Sequence, residues 1–353
     1  MVTQAKINAL RMLRLHFDER IDREAYQQLF RLMSPVMPEF WSMPGNPPVI
    51  QHRADFSDFQ YNDKLRSRRE IVKGRFQNGS IAYVYFDELE LFAALYQKPI
   101  QKMNAEEHRI MDLLEHEGPI NVKGMKEVLG MYVKDITPIL HRLQLSYKVF
   151  EDQRSVDWDR GWYAFEREFP DFKLDRYSFE EALETVLKRF QVLMGWFEIT
   201  HAQSFYRLPI KQITLALNQL VETGVFVKID VEGKTGYTSQ ADYDLLNDDA
   251  FQYKPLGTYC INRSDFYAKS LEVELKSRFP KAENEPMFYI LHDGDIKGCV
   301  MGRFKIGPNI IEDIVFDRDQ ALMKACFSQV VKAIGKVADL SVSPILRYQG
   351  VKL

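Results

Sequence analysis

The sequence carries EGPINVKGMKEVLGMYVKDITPILHRLQLSYKVF at residues 117–150, and the same pattern returns 77 residues later as MGWFEITHAQSFYRLPIKQITLALNQLVETGVFV at residues 194–227. The two copies align without a gap, matching Gly118 with Gly195, Lys134 with Lys211, Ile136 with Ile213, Thr137 with Thr214, Leu140 with Leu217, and Leu143 with Leu220. Similarity at one fixed offset is the signature of a repeated structural unit. The sequence therefore predicts two modules of the same fold.

Each copy is predicted to contain helices followed by a short hairpin. A strand-like step at Ile120 or Ile199 leads to a short helix, and a longer helix follows over residues 134–145 or 210–222. In the second copy, residues 232–237 (EGKTGY) form a glycine-containing hairpin turn. Helices followed by a β-wing are the winged-helix layout, in which the third helix can enter the major groove of DNA.

The C-terminal part of the chain has a different pattern. Residues 288–317, FYILHDGDIKGCVMGRFKIGPNIIEDIVFD, alternate and are punctuated by glycines, which predicts antiparallel strands, and a helix is expected from about residue 318 to 337. The predicted fold class is α+β and mostly α, with tandem winged-helix (helix-turn-helix) modules and a C-terminal β-rich lobe. The predicted regions are 1–100, an N-terminal helical region with a basic β-hairpin; 101–175, a winged-helix module; 176–254, a second winged-helix module; and 255–353, a C-terminal α/β lobe.

Composition narrows the class of protein. The chain has 353 residues, 46% of them hydrophobic and 27% charged, with a net charge of −3, as expected for a globular protein of two or three domains. The three cysteines are far apart in the sequence and form no disulfide framework or C-x-x-C pair, which favours the cytoplasm. No stretch is apolar enough to predict a membrane span or a signal peptide.

Positive charge is concentrated in one segment despite the negative total. Its cations, which are opposed by Glu70 alone, are Lys64, Arg66, Arg68, Arg69, Lys73 and Arg75. The segment continues into IVKGRFQNGSIAYVYF (residues 71–86), where Asn78-Gly79 predicts a two-residue hairpin turn. Local charge is what a phosphate backbone encounters, so the segment is interpreted as a DNA contact; the alternative is a solvated helix face.

The third helices of the two modules offer further polar side chains for DNA. Outside the apolar stripe of each helix lie Lys134, Thr137 and Arg142 in the first copy and Lys211, Gln212 and Thr214 in the second. Amide side chains can pair with adenine edges, and lysine or arginine with guanine. Winged-helix modules also serve as scaffolds or dimer contacts, and this alternative remains open.

The sequence contains no motif for a metal site, a serine hydrolase or a nucleotide-binding loop. The seven histidines include no H-E-x-x-H and no close cluster with cysteine, so no metal site is predicted. G-x-S-x-G and Walker A motifs are absent, and no cofactor is expected.

Taken together, these features resemble the winged-helix DNA glycosylases of the AlkZ-like or YcaQ-like family, which unhook DNA interstrand crosslinks and excise bulky alkylated bases. The resemblance extends over roughly residues 50–340. It is strongest in FPDFKLDRYSFEEALETVLKRF followed by GWFEITHAQSFYRLPIKQITLALNQL, and ILHDGDIKG resembles the strand–Asp-Gly–strand unit near the C terminus of that family. It implies tandem winged helices around a basic cleft and double-stranded DNA as the partner.

The resemblance also implies a catalytic motif, Gln-x-Gln or Gln-x-Asp, that positions water. The best-placed candidate is VIQHRAD, in which Gln51 fits the first position and Asp55 supplies an acid four residues later. Arg53 stands where the family has glutamine or aspartate. Because arginine has donors only, it cannot orient water as an acceptor, although it can bind a phosphate. Turn chemistry in a proline-rich loop is the alternative role for Gln51 and Asp55.

Three functions follow for the chain as a whole. The first is a DNA-binding protein that excises damaged bases, a monofunctional glycosylase acting in DNA repair, with Gln51 or Asp55 positioning the water. The second is a non-catalytic DNA-binding regulator or scaffold in which Arg53 marks a lost active site. The third is a protein–protein interaction module.

Overall fold

The computed structural model describes residues 1–39, 46–152, 160–251, 256–280, 284–305 and 307–353. Its N-terminal region consists of α1 (Gln4–Arg14), α2 (Arg23–Met33), α3 (Asp58–Ser67), β1 (Ile71–Phe76), β2 (Ser80–Tyr85) and α4 (Leu89–Tyr96). Thr3, Asp22 and Ser57 cap the first three helices, since each side chain accepts a backbone N–H of the first turn.

The hairpin of β1 and β2 exists, but its turn differs from the prediction. Phe76 pairs with Ser80, so the loop contains Gln77 as well as Asn78 and Gly79, and all three have positive φ (46°, 63° and 86°). The side chain of Gln77 is fully buried and donates from Nε2 to the carbonyl oxygen of Phe205 at 2.9 Å. This distant contact draws a third residue into the turn and anchors the hairpin tip on the second module.

The repeated module is confirmed. The first copy contains α5 (Ala105–Glu117), α6 (Val122–Leu129), α7 (Val133–Leu145), β3 (Val149–Asp152) and β4 (Gly161–Ala164), followed by α8 (Phe165–Glu168). The second contains α9 (Phe179–Met194), β5 (Trp196–Phe197), α10 (Ile199–Tyr206), α11 (Ile210–Glu222), β6 (Val227–Val231) and β7 (Lys234–Thr238), followed by α12 (Gln240–Asn247). Helices α10 and α11 begin and end 77 residues after α6 and α7.

The strand-like step was placed correctly in the first copy only. Ile120 forms an isolated bridge with Trp162 of β4. Its equivalent in the second copy is Phe197, which pairs with Tyr237 of β7. Ile199 is instead the first residue of α10, because the chain enters the helix directly after the short strand.

The wing of the second module depends on a close approach between Gly236 and Trp196. A Cβ atom at Gly236 would lie 2.3 Å from the indole ring of Trp196, which is 1% exposed. We therefore expect Gly236→Ala to lower the free energy of unfolding by about 1–3 kcal/mol in urea denaturation. Gly335→Ala is the control, because the nearest atom there is 3.5 Å away. Equal stability of the two variants would contradict this packing.

The C-terminal lobe contains a six-stranded sheet in the order β13-β12-β11-β10-β9-β8. Its elements are β8 (Thr258–Asn262), α13 (Phe266–Ser270), α14 (Glu272–Arg278), β9 (Glu285–His292), β10 (Asp295–Arg303), β11 (Ile310–Phe316), α15 (Gln320–Ala325), α16 (Phe327–Ile334), β12 (Arg347–Tyr348) and β13 (Val351–Lys352). The single helix predicted over residues 318–337 is wrong. Cys326, with ψ of 14°, interrupts it and separates α15 from α16.

The buried apolar residues form one large cluster shared by several regions and smaller separate clusters. One cluster extends from Met12 to Cys299 and joins the N-terminal region, the second module, part of the lobe and the hairpin end of the first module, where Phe150 and Tyr163 belong to it. The first module has a separate core that includes Ile110 and Trp162. The α+β, mostly α fold class with tandem modules and a β-rich lobe is confirmed. The four-region division stays a prediction, and its boundary after residue 254 lies outside the described residues. Within those residues, no helix is long and apolar enough to cross a membrane.

Candidate nucleic-acid interface and active site

The outer face of α3 carries an open groove, here called the α3 groove. Its volume is about 290 Å³, and its lining consists of Arg23, Phe56, Ser57, Gln60, Tyr61, Lys64, Leu65 and Arg68. The Arg23 guanidinium lies 5.7 Å from the ring centre of Phe56 and 5.6 Å from that of Tyr61. Lys64 is exposed, and 70% of the Arg68 side chain is exposed, 3.7 Å from Glu70. The groove thus combines accessible cations with aromatic rings.

Two other cations of the basic run point away from solvent. Arg66 is largely buried and forms an ion pair of 2.6 Å with Asp63. Arg69 lies 2.6 Å from Asp152 and 3.2 Å from Glu168, so it links the N-terminal region to the first module. The cations of the basic run therefore lie partly on an exposed face and partly at an internal junction. The number of cations in the sequence does not predict this division.

The hairpin cations also lie at this junction. The Lys73 ammonium is 3.4 Å from the Glu151 carboxylate, and burial lowers the pKa of Lys73. Arg75 donates from Nε to Gln144 Oε1 at 2.6 Å. The basic face of the hairpin is therefore packed against α7 and β3 of the first module instead of standing open to solvent.

The third helices keep part of the polar surface predicted for them. Lys134 on α7 and Lys211 and Gln212 on α11 are exposed. The hydroxyls of Thr137 and Thr214 donate to backbone carbonyls one turn back, at 2.9 and 2.8 Å. The Arg142 guanidinium forms a 3.0 Å ion pair with Glu107.

Gln51 lies in a small pocket, here called the Gln51 pocket, whose lining is mostly apolar and includes a few polar side chains. Its side-chain oxygen accepts from the backbone N–H of Asn262 at 3.1 Å, and its amide nitrogen donates to the Glu39 carboxylate. The cavity measures about 20 Å³, and Ser264 and Asp265 also line it. A water molecule needs roughly 10–15 Å³ and several polar partners, so the pocket can hold one.

Glu39 is the acid that contacts Gln51 in this pocket, and it was not predicted from the sequence. Burial raises the pKa of Glu39, Gln51 counteracts this by donating to it, and the nearby Asp58 raises it further. A Gln-x-Asp motif has its acid two residues after the glutamine, whereas Glu39 lies 12 positions before Gln51. The sequence signal for Glu39 is that it is the single acid in the proline-rich stretch 35–51, PVMPEFWSMPGNPPVIQ.

The structure corrects the role predicted for Arg53. Its side chain is fully buried, with Nη1 2.7 Å from Asp265 and Nε donating to the carbonyl oxygen of Leu15 at 3.0 Å. The guanidinium also lies 3.8 Å from the ring centre of Phe17. Arg53 joins the N-terminal region to the C-terminal lobe and cannot reach a phosphate in this arrangement.

Asp55 is not part of the Gln51 pocket. Its backbone N–H donates to the carbonyl oxygen of Ile21 at 3.0 Å, and its side chain is exposed. The structure therefore does not bring Gln51 and Asp55 together; the acid that contacts the Gln51 side chain is Glu39. In the described part of the chain, no cluster of acidic, histidine or cysteine side chains is arranged to hold a metal ion.

The described residues form tandem modules of helices with a short β-wing, followed by a C-terminal β-rich lobe. The Streptomyces sahachiroi DNA glycosylase AlkZ has the same fold, with a TM-score of 0.67 over 98% of this chain and 98% of that chain. The two sequences are 15% identical, so the likeness establishes an AlkZ-like glycosylase fold, as the sequence predicted. No protein-family model and no curated protein matches the sequence.

Proposed function

We propose that this protein binds double-stranded DNA and hydrolyses the N-glycosidic bond of an alkylated or crosslinked base. The observation that carries the proposal is the water-sized Gln51 pocket, with Glu39 in it, inside a chain whose whole length has a DNA glycosylase fold. The cytoplasm stays the predicted compartment, and the three cysteines are unpaired.

The DNA contacts in this proposal begin at the α3 groove. Lys64 and Arg68 would neutralise backbone phosphates, because both project into solvent. Lys134 and Lys211 would add contacts from the third helices. Each neutralised phosphate releases counterions, which makes such binding strongly dependent on salt.

The chemistry would use a single water molecule. The bond between the sugar C1′ and the base nitrogen breaks, and the electron pair leaves with the base, so that an alkylated, positively charged base departs neutral. The water oxygen then forms the new bond to C1′, and its proton passes to the Glu39 carboxylate. Gln51 would hold Glu39 in place by donating to it, while Asn262 fixes the Gln51 amide.

A non-catalytic DNA-binding protein is the alternative function. It is favoured by Arg53, because a fully buried arginine occupies the position where the family motif has an acceptor. In that case the α3 groove would still bind DNA, while the pocket would only stabilise the fold. Base release separates the two functions, since DNA binding is common to both.

Charge reversal in the α3 groove tests the DNA contact. We expect Lys64→Glu/Arg68→Glu to weaken binding of a fluorescein-labelled duplex at least about tenfold and to reduce the slope of log affinity against log salt by about two. Fluorescence anisotropy across a salt series measures both quantities. Arg347→Glu/Lys352→Glu is the control, because it reverses two exposed charges at the far edge of the C-terminal sheet.

Two results would contradict this contact. If both double variants weakened duplex binding equally, the loss would reflect the net charge of the protein and not a DNA contact in the α3 groove. No binding of duplex by the wild type at low salt would remove both DNA-based functions and leave the protein-interaction module.

A further inference from the structure

A second cationic site lies where the hairpin meets the first module, and we call it the Glu151 cluster; its members are Lys73, Arg75, Gln144, Glu151, Arg160 and Trp162. Glu151 is fully buried at its centre, with Lys73 Nζ 3.4 Å from one carboxylate oxygen and Arg160 Nη1 3.0 Å from the other. Burial by itself would raise the pKa of Glu151, but Lys73 and Arg160 lower it to about 2. The carboxylate is therefore charged, and it is shared by more than one cation.

Among the described residues, the cluster contains three cationic side chains, Lys73, Arg75 and Arg160, and one acid, Glu151. Burial lowers the pKa of Arg75, Glu151 raises it, and Arg160 lowers it again. The pKa of His141 on α7 is likewise lowered by burial, and then by Arg75 and Arg160. Asp152, the neighbouring acid on β3, is 2.6 Å from Arg69. Arg75 and Arg160 thus share Glu151 with Lys73.

Glu151 Oε1 lies 3.4 Å from the Lys73 ammonium without a hydrogen bond, and two donors of the cluster also have no hydrogen-bond partner among the described residues. The amide nitrogen of Gln144 is one, and its residue is 6% exposed. Because Gln144 Oε1 accepts from Arg75 Nε at 2.6 Å, the unpaired nitrogen on the same carboxamide lies beside that guanidinium. The indole N–H of Trp162 is the other; Trp162 is the cross-strand partner of Glu151 and is 2% exposed.

We propose that the Glu151 cluster binds one phosphate group, either from a nucleic-acid backbone or as free phosphate. Unpaired buried donors beside surplus guanidinium groups are what an anion satisfies, and arginine binds phosphate oxygens through two parallel N–H groups. Solvent reaches the cluster at its guanidinium groups, because Arg75 is half-buried and 34% of the Arg160 side chain is exposed. The site is separate from the α3 groove and does not depend on base excision; only its backbone source rests on the proposed DNA binding.

Gln144→Glu tests the site with little change in shape. The substitution removes the unpaired N–H₂ and adds a negative charge beside Arg75, so it satisfies the cluster internally and repels an anion. By titration calorimetry, with sodium phosphate compared with sodium chloride at equal ionic strength, we expect saturable phosphate binding by the wild type. We expect at least a tenfold loss in Gln144→Glu, with a melting temperature equal to or above that of the wild type.

Arg160→Gln is the second variant, and Arg347→Gln is its control. Arg160 is partly exposed, and Lys73 still pairs with Glu151 when it is replaced, so this variant does not leave the buried carboxylate alone. Phosphate binding is expected to weaken in Arg160→Gln and to be unchanged in Arg347→Gln.

Duplex binding by the same variant identifies the source of the phosphate. A backbone phosphate predicts that Gln144→Glu reduces the salt slope of duplex binding by about one. An unchanged slope together with lost phosphate binding identifies free phosphate instead. The inference is overturned if the wild type neither binds inorganic phosphate nor shows a slope that changes in Gln144→Glu, or if that variant binds phosphate as well as the wild type. Either result leaves the Lys64 and Arg68 contacts untouched.

Discussion

Replacing Arg53 with methionine is expected to lower the free energy of unfolding by about 3–5 kcal/mol. The substitution leaves the Asp265 carboxylate, whose side chain is 5% exposed, buried without its cation. It also removes the donors to the carbonyl oxygens of Leu15 and Gln51. Urea denaturation followed by tryptophan fluorescence measures the loss.

The double variant Arg53→Met/Asp265→Leu separates the ion pair from the packing. Because both charges are then absent, we expect it to recover part of the stability lost in Arg53→Met; the Leu15 and Gln51 carbonyls still lack their donor, and α13 loses the Asp265 cap. Arg347→Met, at an exposed position, is expected to change stability by less than about 0.5 kcal/mol. A stable Arg53→Met protein that loses DNA affinity would restore the phosphate contact predicted from the sequence and refute the structural role.

Glu39→Gln is expected to slow single-turnover base release by about 10²–10⁴-fold while leaving duplex affinity unchanged. The amide has nearly the shape of the carboxylate, but it cannot accept the proton of the attacking water. Quantifying released base under enzyme excess measures the rate, and anisotropy measures the affinity. Asp55→Asn is the matched control, because Asp55 is exposed and outside the pocket.

The pH dependence of base release follows from the ionisation of the Glu39 carboxylate. As a base, Glu39 must be ionised, so the rate falls as the pH drops through its pKa. Because burial raises that pKa, we expect the acid limb of the pH–rate profile at a higher pH than an ordinary glutamate gives. A profile and rate that respond to Asp55→Asn and not to Glu39→Gln would assign the acid to Asp55.

The modules were predictable from sequence because their determinants are local. Stripes such as Ile136 and Leu140 mark the buried face of α7, and the counterparts Ile213 and Leu217 mark that of α11. The same periodicity fixes the helix boundaries in both copies. The fold class therefore followed from the repeat.

The sites were less predictable because they depend on contacts between distant segments. Lys73 and Arg75 lie in a basic run, yet the first module covers them, and Gln77 enters the turn through a bond to Phe205. Glu39 and Gln51 are 12 positions apart in the sequence and come into contact only in the folded chain. Sequence spacing carries no signal for these long-range contacts.

The most direct test of the account is abasic-site formation in a methylated duplex. Wild-type protein and Glu39→Gln would be incubated with end-labelled DNA that has been treated with a methylating agent, and abasic sites would be revealed as strand breaks after alkali. We predict breaks at modified bases with the wild type and at most about one hundredth of that rate with Glu39→Gln, at equal DNA binding. Duplex binding without breaks in the wild type would contradict base excision and leave the non-catalytic DNA-binding function.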